Sequence, residues 1–390
     1  MNSTTSNKRV VLIATPVLLV GGTEIQTLSV VQTLIQTDYH VIVCCYYEFD
    51  ITVVEWFKSV GAEVIVMKFK RNDGLFHLAK GLIRLFRELK PDIVHVQYLA
   101  PGLVPIVAAR MAGIKTIFST VHIAGSVAYG RKAKFLLRLA SKFCKTFFCV
   151  SKGVEEFWFG SSQVLDPARI DNSRKHYTIY NAVDIEKIEK VIDKTDINSL
   201  RSSLGIHKKR VLGIVGRLAH QKGHAVLLDA MPEVIRHFPD VVLLVIGKGP
   251  EREFLEKKAG EVGIGRHILW LGERRQEDIF RLYSIMDIFV MPSLYEGFGL
   301  TAAEAMAAGL PVVGTNIEGL SEIIENNVNG YLVTVNNSNE LAKAVIKLLI
   351  DSKNAKTIGM NGYEKIKKFF SMENFRKSWL AAYRNLKNAD

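Results

Sequence analysis

Cysteine is scarce in this chain of 390 residues: there are four, at positions 44, 45, 144 and 149. Neither a disulfide framework nor a metal-binding spacing can be built from them. The adjacent pair in Val41-Ile-Val-Cys-Cys-Tyr46 reads as small apolar core residues, and the set fits a reducing cytoplasm. Long hydrophobic runs are missing too. Val10–Val20 comes nearest, but Pro16 interrupts it and it is too short to span a bilayer. Lys8-Arg9 ahead of it imitates the start of a signal peptide, yet Gly21-Gly22-Thr23-Glu24 follows where a small-residue cleavage site would be needed. A buried first strand behind a frayed tail, Met1–Asn7, is expected. No internal repeat and no low-complexity segment occurs. Nor is there an Asp-x-Asp triplet, the usual carboxylate clamp for a metal-bound nucleotide, so no metal and no cofactor is expected.

One long stretch lacks acidic residues altogether. From Ile93 through Val154 there is none, against nine Lys or Arg. The net charge of +12 is concentrated accordingly: residues 1–180 carry 22 Lys/Arg against 13 Asp/Glu, and residues 181–390 carry 29 against 26. Within the gap, Arg131, Lys134, Arg138, Lys142 and Lys145 recur at steps of three and four. That spacing predicts one face of a helix, with Ala133, Leu136, Leu137, Ala140 and Cys144 on the other. A basic amphipathic helix suits an anionic membrane surface or an anionic acceptor. No DNA or RNA motif accompanies it, so a nucleic-acid partner is not expected.

What is present has the composition of a globular protein, 48% apolar and 23% charged, at a length that suggests two domains. Strand-like runs at Arg9–Ala14, His40–Cys45, Glu63–Met67, Asp92–Gln97, Thr116–Thr120 and Phe147–Val150 alternate with helical patterns such as Glu24–Thr37, Leu75–Leu89 and Lys134–Phe143. The theme repeats with runs at Arg210–Val215, Val241–Ile246, Ile268–Leu271, Ile288–Met291, Pro311–Gly314 and Gly330–Val333. Helical patterns at Ala225–His237, Glu251–Ala259, Gln276–Ser284 and Asn339–Ile350 separate them. Apolar, β-branched strands alternating with helices imply an α/β fold of two doubly wound parallel sheets. The boundary is expected at 183/184, inside a polar stretch, with Gly160–His176 as a surface excursion.

The segment Pro292-Ser-Leu-Tyr-Glu-Gly-Phe-Gly-Leu-Thr-Ala-Ala-Glu-Ala-Met-Ala-Ala-Gly-Leu-Pro311 carries the sharpest chemistry. Gly297 and Gly299 permit a tight turn, Thr301–Ala308 is strongly helix-forming, and Gly309 with Pro311 stops the helix. Amides at a helix start suit a phosphate. Glu296 before the turn and Glu304 within the helix suit sugar hydroxyls. After the run ending at Val215, Gly216-Arg217-Leu218 and Lys222-Gly223 place two cations where they can bracket a diphosphate. Together these residues resemble the donor site of retaining GT-B glycosyltransferases, family four (glycosyl transferases group 1).

The resemblance implies a GT-B architecture of two Rossmann-like domains facing across a cleft, with the last helix, 373–390, returning to the first. It implies retaining transfer from a nucleoside diphosphate sugar, with Arg217 and Lys222 stabilising the leaving diphosphate, Glu296 at the donor sugar and Glu304 at the ribose. Amides of Phe298, Leu300 and Thr301 would assist, as would the loops at Gly247–Gly249 and Leu271. Gly21, Gly22 and His122 would complete the sugar pocket, and Ser151 and Asn181 match recurring positions. Lys248 departs from the acidic residue relatives often have there. A GT-B epimerase would share these features but need no acceptor. An NAD-dependent oxidoreductase would want a third glycine after Gly21-Gly22, which is missing. The basic first half suits a glycan or lipid-linked glycan acceptor in bacterial envelope polysaccharide assembly. The enzyme would then be cytoplasmic or peripheral at the inner membrane.

Overall fold

Among the described residues, thirteen short strands, most of them buried, set the architecture. A computed structural model of the chain describes residues 8–98, 103–123 and 131–385, and the expected tail Met1–Asn7 lies outside them. The chain divides into two units: Met1–Asn181 with Glu373–Asp390, and Ala182–Met372.

In the first unit, strands β1 (Arg9–Thr15), β2 (Tyr39–Cys45), β3 (Glu63–Val66), β4 (Ile93–Tyr98), β5 (Thr116–Val121), β6 (Thr146–Cys149) and β7 (His176–Thr178) form one sheet in the order β3-β2-β1-β4-β5-β6-β7. Every pairing is parallel. The central strands are apolar on both sides because helices cover both faces, and Val11–Ala14 are fully buried. Met372–Asn385 forms a helix whose Trp379 and Tyr383 pack on this sheet. Tyr383 Oη lies 2.6 Å from His95 Nδ1, and Thr120 Oγ1 lies 2.7 Å from the other ring nitrogen. Burial holds the His95 imidazole down to about 3, so it is neutral and tethers the helix by its bond to Tyr383 and by ring contacts rather than by charge.

In the second unit, β8 (Arg210–Val215), β9 (Val241–Ile246), β10 (Ile268–Gly272), β11 (Ile288–Met291), β12 (Val312–Thr315) and β13 (Tyr331–Val333) are ordered β10-β9-β8-β11-β12-β13, again all parallel. Both sheets therefore reverse winding direction at their centre, between β1 and β4 and between β8 and β11. Such switch points open crevices at the carboxyl ends of the strands.

Two segments gain definition and one expectation changes. The polar stretch after residue 183 is helical, as Ile185–Asp193 and Ile197–Ser203, each capped by an Asp side chain. The excursion 160–176 ends in the short strand β7. The basic helix spans only Arg131–Ser141, so Lys142 and Lys145 lie beyond its end and do not share its face. On that helix Leu137 and Ala140 are buried, but Leu136, expected on the covered side, is exposed beside a still more exposed Phe135. Lys134 reaches over the Phe157 ring and Arg138 Nε donates to the Trp158 carbonyl at 2.8 Å, so both cations lean on the next helix, Lys152–Phe159. The side chain of Arg131 lies outside the described residues.

Candidate active site

The switch point of the second unit gathers most of the residues singled out from the sequence. Beyond the ends of β8, β9 and β10 the backbone ladder continues into the loops: Gly216 N donates to Ile246 O (3.0 Å), Leu218 N to Lys248 O (3.0 Å) and Gly247 N to Gly272 O (2.8 Å). Chains this close leave no room for side chains. A Cβ on Gly247 would lie 1.9 Å from Gly216 O, and one on Gly249 would lie 2.2 Å from Leu218 O. The glycines thus let adjacent loops touch main chain to main chain, which builds a firm floor.

On that floor the chain turns at His220–Lys222, and Gly223, at φ +66°, releases it into the helix His224–His237. A Cβ there would meet Pro292 O at 1.9 Å, and Leu294 N donates to Gln221 O at 2.8 Å. The loops after β8 and β11 are therefore locked to each other. The Lys222 side chain runs across Gly216 and its ammonium pairs with the Glu296 carboxylate, both mostly buried. Arg217 is exposed beside them and enters no ion pair among the described residues. The crevice thus holds two cations and one carboxylate.

The helix Leu300–Ala307 starts at the same crevice. Its N-cap, Gly299, has φ +92° and provides no side-chain cap, so the first-turn amides keep their capacity for an external acceptor. Thr301 Oγ1 donates to Val215 O at 3.2 Å and ties this helix start to the end of β8. Phe298 contributes only backbone here, because its ring is buried against Phe370. Gly319, which the sequence reading passed over, comes so close to the Gly297–Phe298 peptide that a Cβ would sit 2.9 Å from Phe298 N. Its signal was a Gly after a strand, too common to stand out.

One turn into the helix, Glu304 is partly buried. Tyr283 Oη donates to Oε2 at 3.2 Å, and Gln276 Nε2 lies 3.5 Å from Oε1. Burial pushes its carboxyl up to about 7, against the pull of these hydrogen bonds and of the Lys187 ammonium. Neither Tyr283 nor Gln276 was foreseen, since both lie on a helix that reads as amphipathic surface. Lys248 is ion-paired with Glu273, so the unusual cation in that loop is locally neutralised. Leu271 lies in β10, half-buried. His224 is buried beneath the crevice with neither ring nitrogen partnered in the described residues.

In the first unit the structure places Gly21 as N-cap and Gly22 as first residue of the helix Gly22–Ile35. The helix start there is filled from within. Glu24 folds back until its Oε2 lies 2.8 Å from where a Gly21 Cβ would be. Its carboxyl, pushed up by burial, accepts the Glu24 and Leu19 amides. A carboxylate at that helix start repels a phosphate and welcomes a hydroxyl. His122 follows β5, with Nε2 2.6 Å from Gln97 Oε1 and an unpartnered, buried Nδ1. Burial holds this imidazole down to about 4, so at neutral pH it is uncharged. Ser151 is a helix cap, accepting from Val154 N at 3.2 Å, and Asn181 is buried at the end of the unit.

Exposed apolar side chains also crowd this rim: Leu19, Val20, Phe49 and Ile51. Leu18 N to Glu48 O (3.0 Å) and Asp50 N to Leu18 O (2.7 Å) hold their two loops together. The sequence did not single them out, because each reads locally as strand or helix edge. No described helix is long and apolar enough to cross a membrane.

Comparison with known proteins addresses both units. The family model described as glycosyl transferases group 1 matches residues 196–365, and that described as glycosyltransferase family 4 matches residues 20–187. The UDP-Gal:alpha-D-GlcNAc-diphosphoundecaprenol alpha-1,3-galactosyltransferase of Escherichia coli is 30% identical over 316 residues, covering 76% of this chain and 79% of that one. The lipopolysaccharide core biosynthesis mannosyltransferase LpsB of Rhizobium meliloti is 30% identical over 216 residues, 53% of this chain and 60% of its own. Among solved structures, Anabaena HepE in complex with UDP and glucose superimposes with a TM-score of 0.80 at 21% identity, over 96% of this chain and 99% of that one.

Proposed function

The chain belongs to the GT-B glycosyltransferases of the family 4 type, and we propose that it moves a sugar, with retention, from a UDP- or GDP-sugar to a glycan or lipid-linked glycan of the bacterial envelope. The observation that carries this reading is the crevice between β8 and β11, where Lys222 pairs with Glu296, the uncapped start of Leu300–Ala307 is tied to the end of β8, and Arg217 follows the Gly216 that Lys222 crosses. A nucleoside diphosphate leaving a sugar gains negative charge, and fixed cations with oriented amides stabilise that charge most where it develops. Lys222 exchanges part of its pairing with Glu296 for a phosphate oxygen, which frees the Glu296 carboxylate to accept sugar hydroxyls. Glu304 accepts the ribose hydroxyls. In the first unit, His122 and the Gly21–Gly22 turn are hydrogen-bonding groups of a kind that suits sugar hydroxyls.

The supply of positive charge from the protein, with no Asp-x-Asp in the sequence, supports transfer without a metal ion. A lipid-linked acceptor is supported by the relative that acts on a diphosphoundecaprenol-linked sugar and by the exposed Leu19, Val20, Phe49 and Ile51, and a peripheral position on the cytoplasmic face follows from it.

The test is a screen of the purified protein against UDP-, GDP- and ADP-sugars with a lipid diphosphate GlcNAc acceptor. Release of nucleoside diphosphate and the anomeric configuration of the product are read, with and without EDTA. Acceptor-dependent, EDTA-insensitive formation of an α-linkage from an α-donor is expected. An isomerised sugar nucleotide formed without acceptor would replace transfer by epimerisation.

A further inference from the structure

A second basic feature lies away from the strand ends. The helices Ile185–Asp193, Ile197–Ser203 and Gln276–Tyr283 enclose an open cavity of about 640 Å³ whose lining includes Lys187, Lys190, Lys194 and Arg281. That volume suits a small ligand. The acids nearby neutralise it only in part. Asp278 pairs with Arg281 at 3.5 Å and Asp196 spends its carboxylate on the Ser199 amide at 3.0 Å, while Glu277, also in the lining, and the three lysines form no ion pair among the described residues. They follow one another at steps of three and four, so their ammonium groups share one face and repel. Lys190 and Lys194 sit at the helix's carboxyl end, which favours cations, but Lys187 stands in its first turn, where the dipole opposes a positive charge. Helix stability alone therefore does not account for the set.

The cavity also touches the crevice through side chains. Lys187 Nζ donates to Gln276 Oε1 at 3.1 Å, and the Nε2 of the same amide faces Glu304 Oε1 at 3.5 Å. One planar amide thus links a cavity cation to the carboxylate beside the donor.

We propose that this cavity is a second anion site, for a ligand bearing two or more phosphate charges, and that its occupancy is relayed through Lys187 and Gln276 to Glu304. An anion drawing Lys187 away leaves Gln276 Oε1 without its donor, and the amide turns or shifts away from Glu304. The effect on donor affinity rests on the functional reading above; the binding itself does not.

Inorganic triphosphate is the probe, titrated calorimetrically into the full chain. The double variant Arg217→Ala/Lys222→Ala weakens the crevice, so one saturable site is expected to remain. Adding Lys190→Glu/Lys194→Glu should weaken that site at least tenfold, with the melting temperature confirming a folded protein. Loss of all saturable binding in the first variant, or its persistence in the second, would overturn the site. The relay is read by hydrogen exchange in the Arg217→Ala/Lys222→Ala background, where no turnover is needed. Triphosphate should alter exchange in 185–203, 276–283 and 300–307, and Gln276→Ala should abolish the change in 300–307 only. An unchanged response there would refute the relay while leaving the donor reading intact.

Discussion

The two units wind their sheets in one order and furnish the strand ends in opposite ways. In the second, glycines bring loops into backbone contact and leave charged groups on top: Lys222, Glu296, Arg217 and uncapped amides. In the first, the loops are also zipped by backbone bonds, such as Tyr47 N to Pro16 O and Phe69 N to Tyr46 O, but they carry aromatic and aliphatic side chains. Arg71 is spent on Glu48 in an ion pair there, and the polar groups after β1 and β5 are a carboxylate folded onto its own helix and the neutral His122 imidazole. Topology gives both a crevice; loop composition makes one a seat for anions and the other a surface for hydroxyls and apolar groups.

The largest effect should come from the charged rim. Lys222→Ala is expected to lower turnover roughly 10²–10³-fold with the melting temperature little changed, because a fixed electrophile is lost. A decrease of less than about tenfold would remove Lys222 from the leaving-group site and blur the contrast between the units.

Next comes the rigid floor. Gly223→Ala adds a Cβ against Pro292 O at a left-handed φ, and should cost about 3 kcal/mol in chemical denaturation. The third test concerns the first unit's interior. His95 and His122 are held down to about 3 and about 4, against 6.5 when unfolded, so the unfolded state takes up more protons as pH falls below 6.5. Their contribution is intact above that pH and is lost progressively as acid approaches the folded values. At pH 5 the loss amounts to about 2 kcal/mol for each ring. The second unit, where His224 is the one buried imidazole held down to about 4, should melt later in acid. Reversal of that order, followed by hydrogen exchange, would break the comparison.

A smaller effect belongs to Glu304, whose neighbours are the Tyr283 hydroxyl, the Gln276 amide and the Lys187 ammonium. With its carboxyl near 7, nucleotide affinity should fall about tenfold from pH 8 to pH 6 as the acceptor carboxylate is protonated. Glu304→Gln should remove that component, which separates it from titration of the nucleotide phosphate. Smallest of all, Gly21→Ala should cost less than about 1 kcal/mol, since the new methyl meets only the movable end of Glu24.

Sequence carried much of this because buried parallel strands are apolar on both faces, and because Gly297, Gly299, Glu296 and Glu304 lie within one short segment. Long-range pairing was not legible. Lys222 and Glu296 are 74 positions apart, and each alone reads as a polar site residue. Glu155 is a second case. Buried within the first unit, it accepts from Thr178 Oγ1 (2.6 Å) and Gln163 N (3.0 Å) and pairs with His176 (2.5 Å). Burial alone would raise its carboxyl, but these hydrogen bonds outweigh it and hold the group below its usual range. That buried anchor keeps β7, a strand of three residues, in the sheet, and no periodicity announces it. The basic helix misled for a related reason: Lys142 and Lys145 continue its spacing after the backbone has turned toward β6.

The return of Met372–Asn385 to the first sheet has a consequence for the order of events at the ribosome. Tyr383 and Trp379 cover His95, Phe118 and Phe148, yet they are synthesised after every residue of the second unit. The second unit is one continuous segment and can fold as soon as it emerges. The first must wait, with part of its aromatic interior uncovered, until Trp379 and Tyr383 have followed the second unit out. During translation, that waiting half is the one a chaperone would hold.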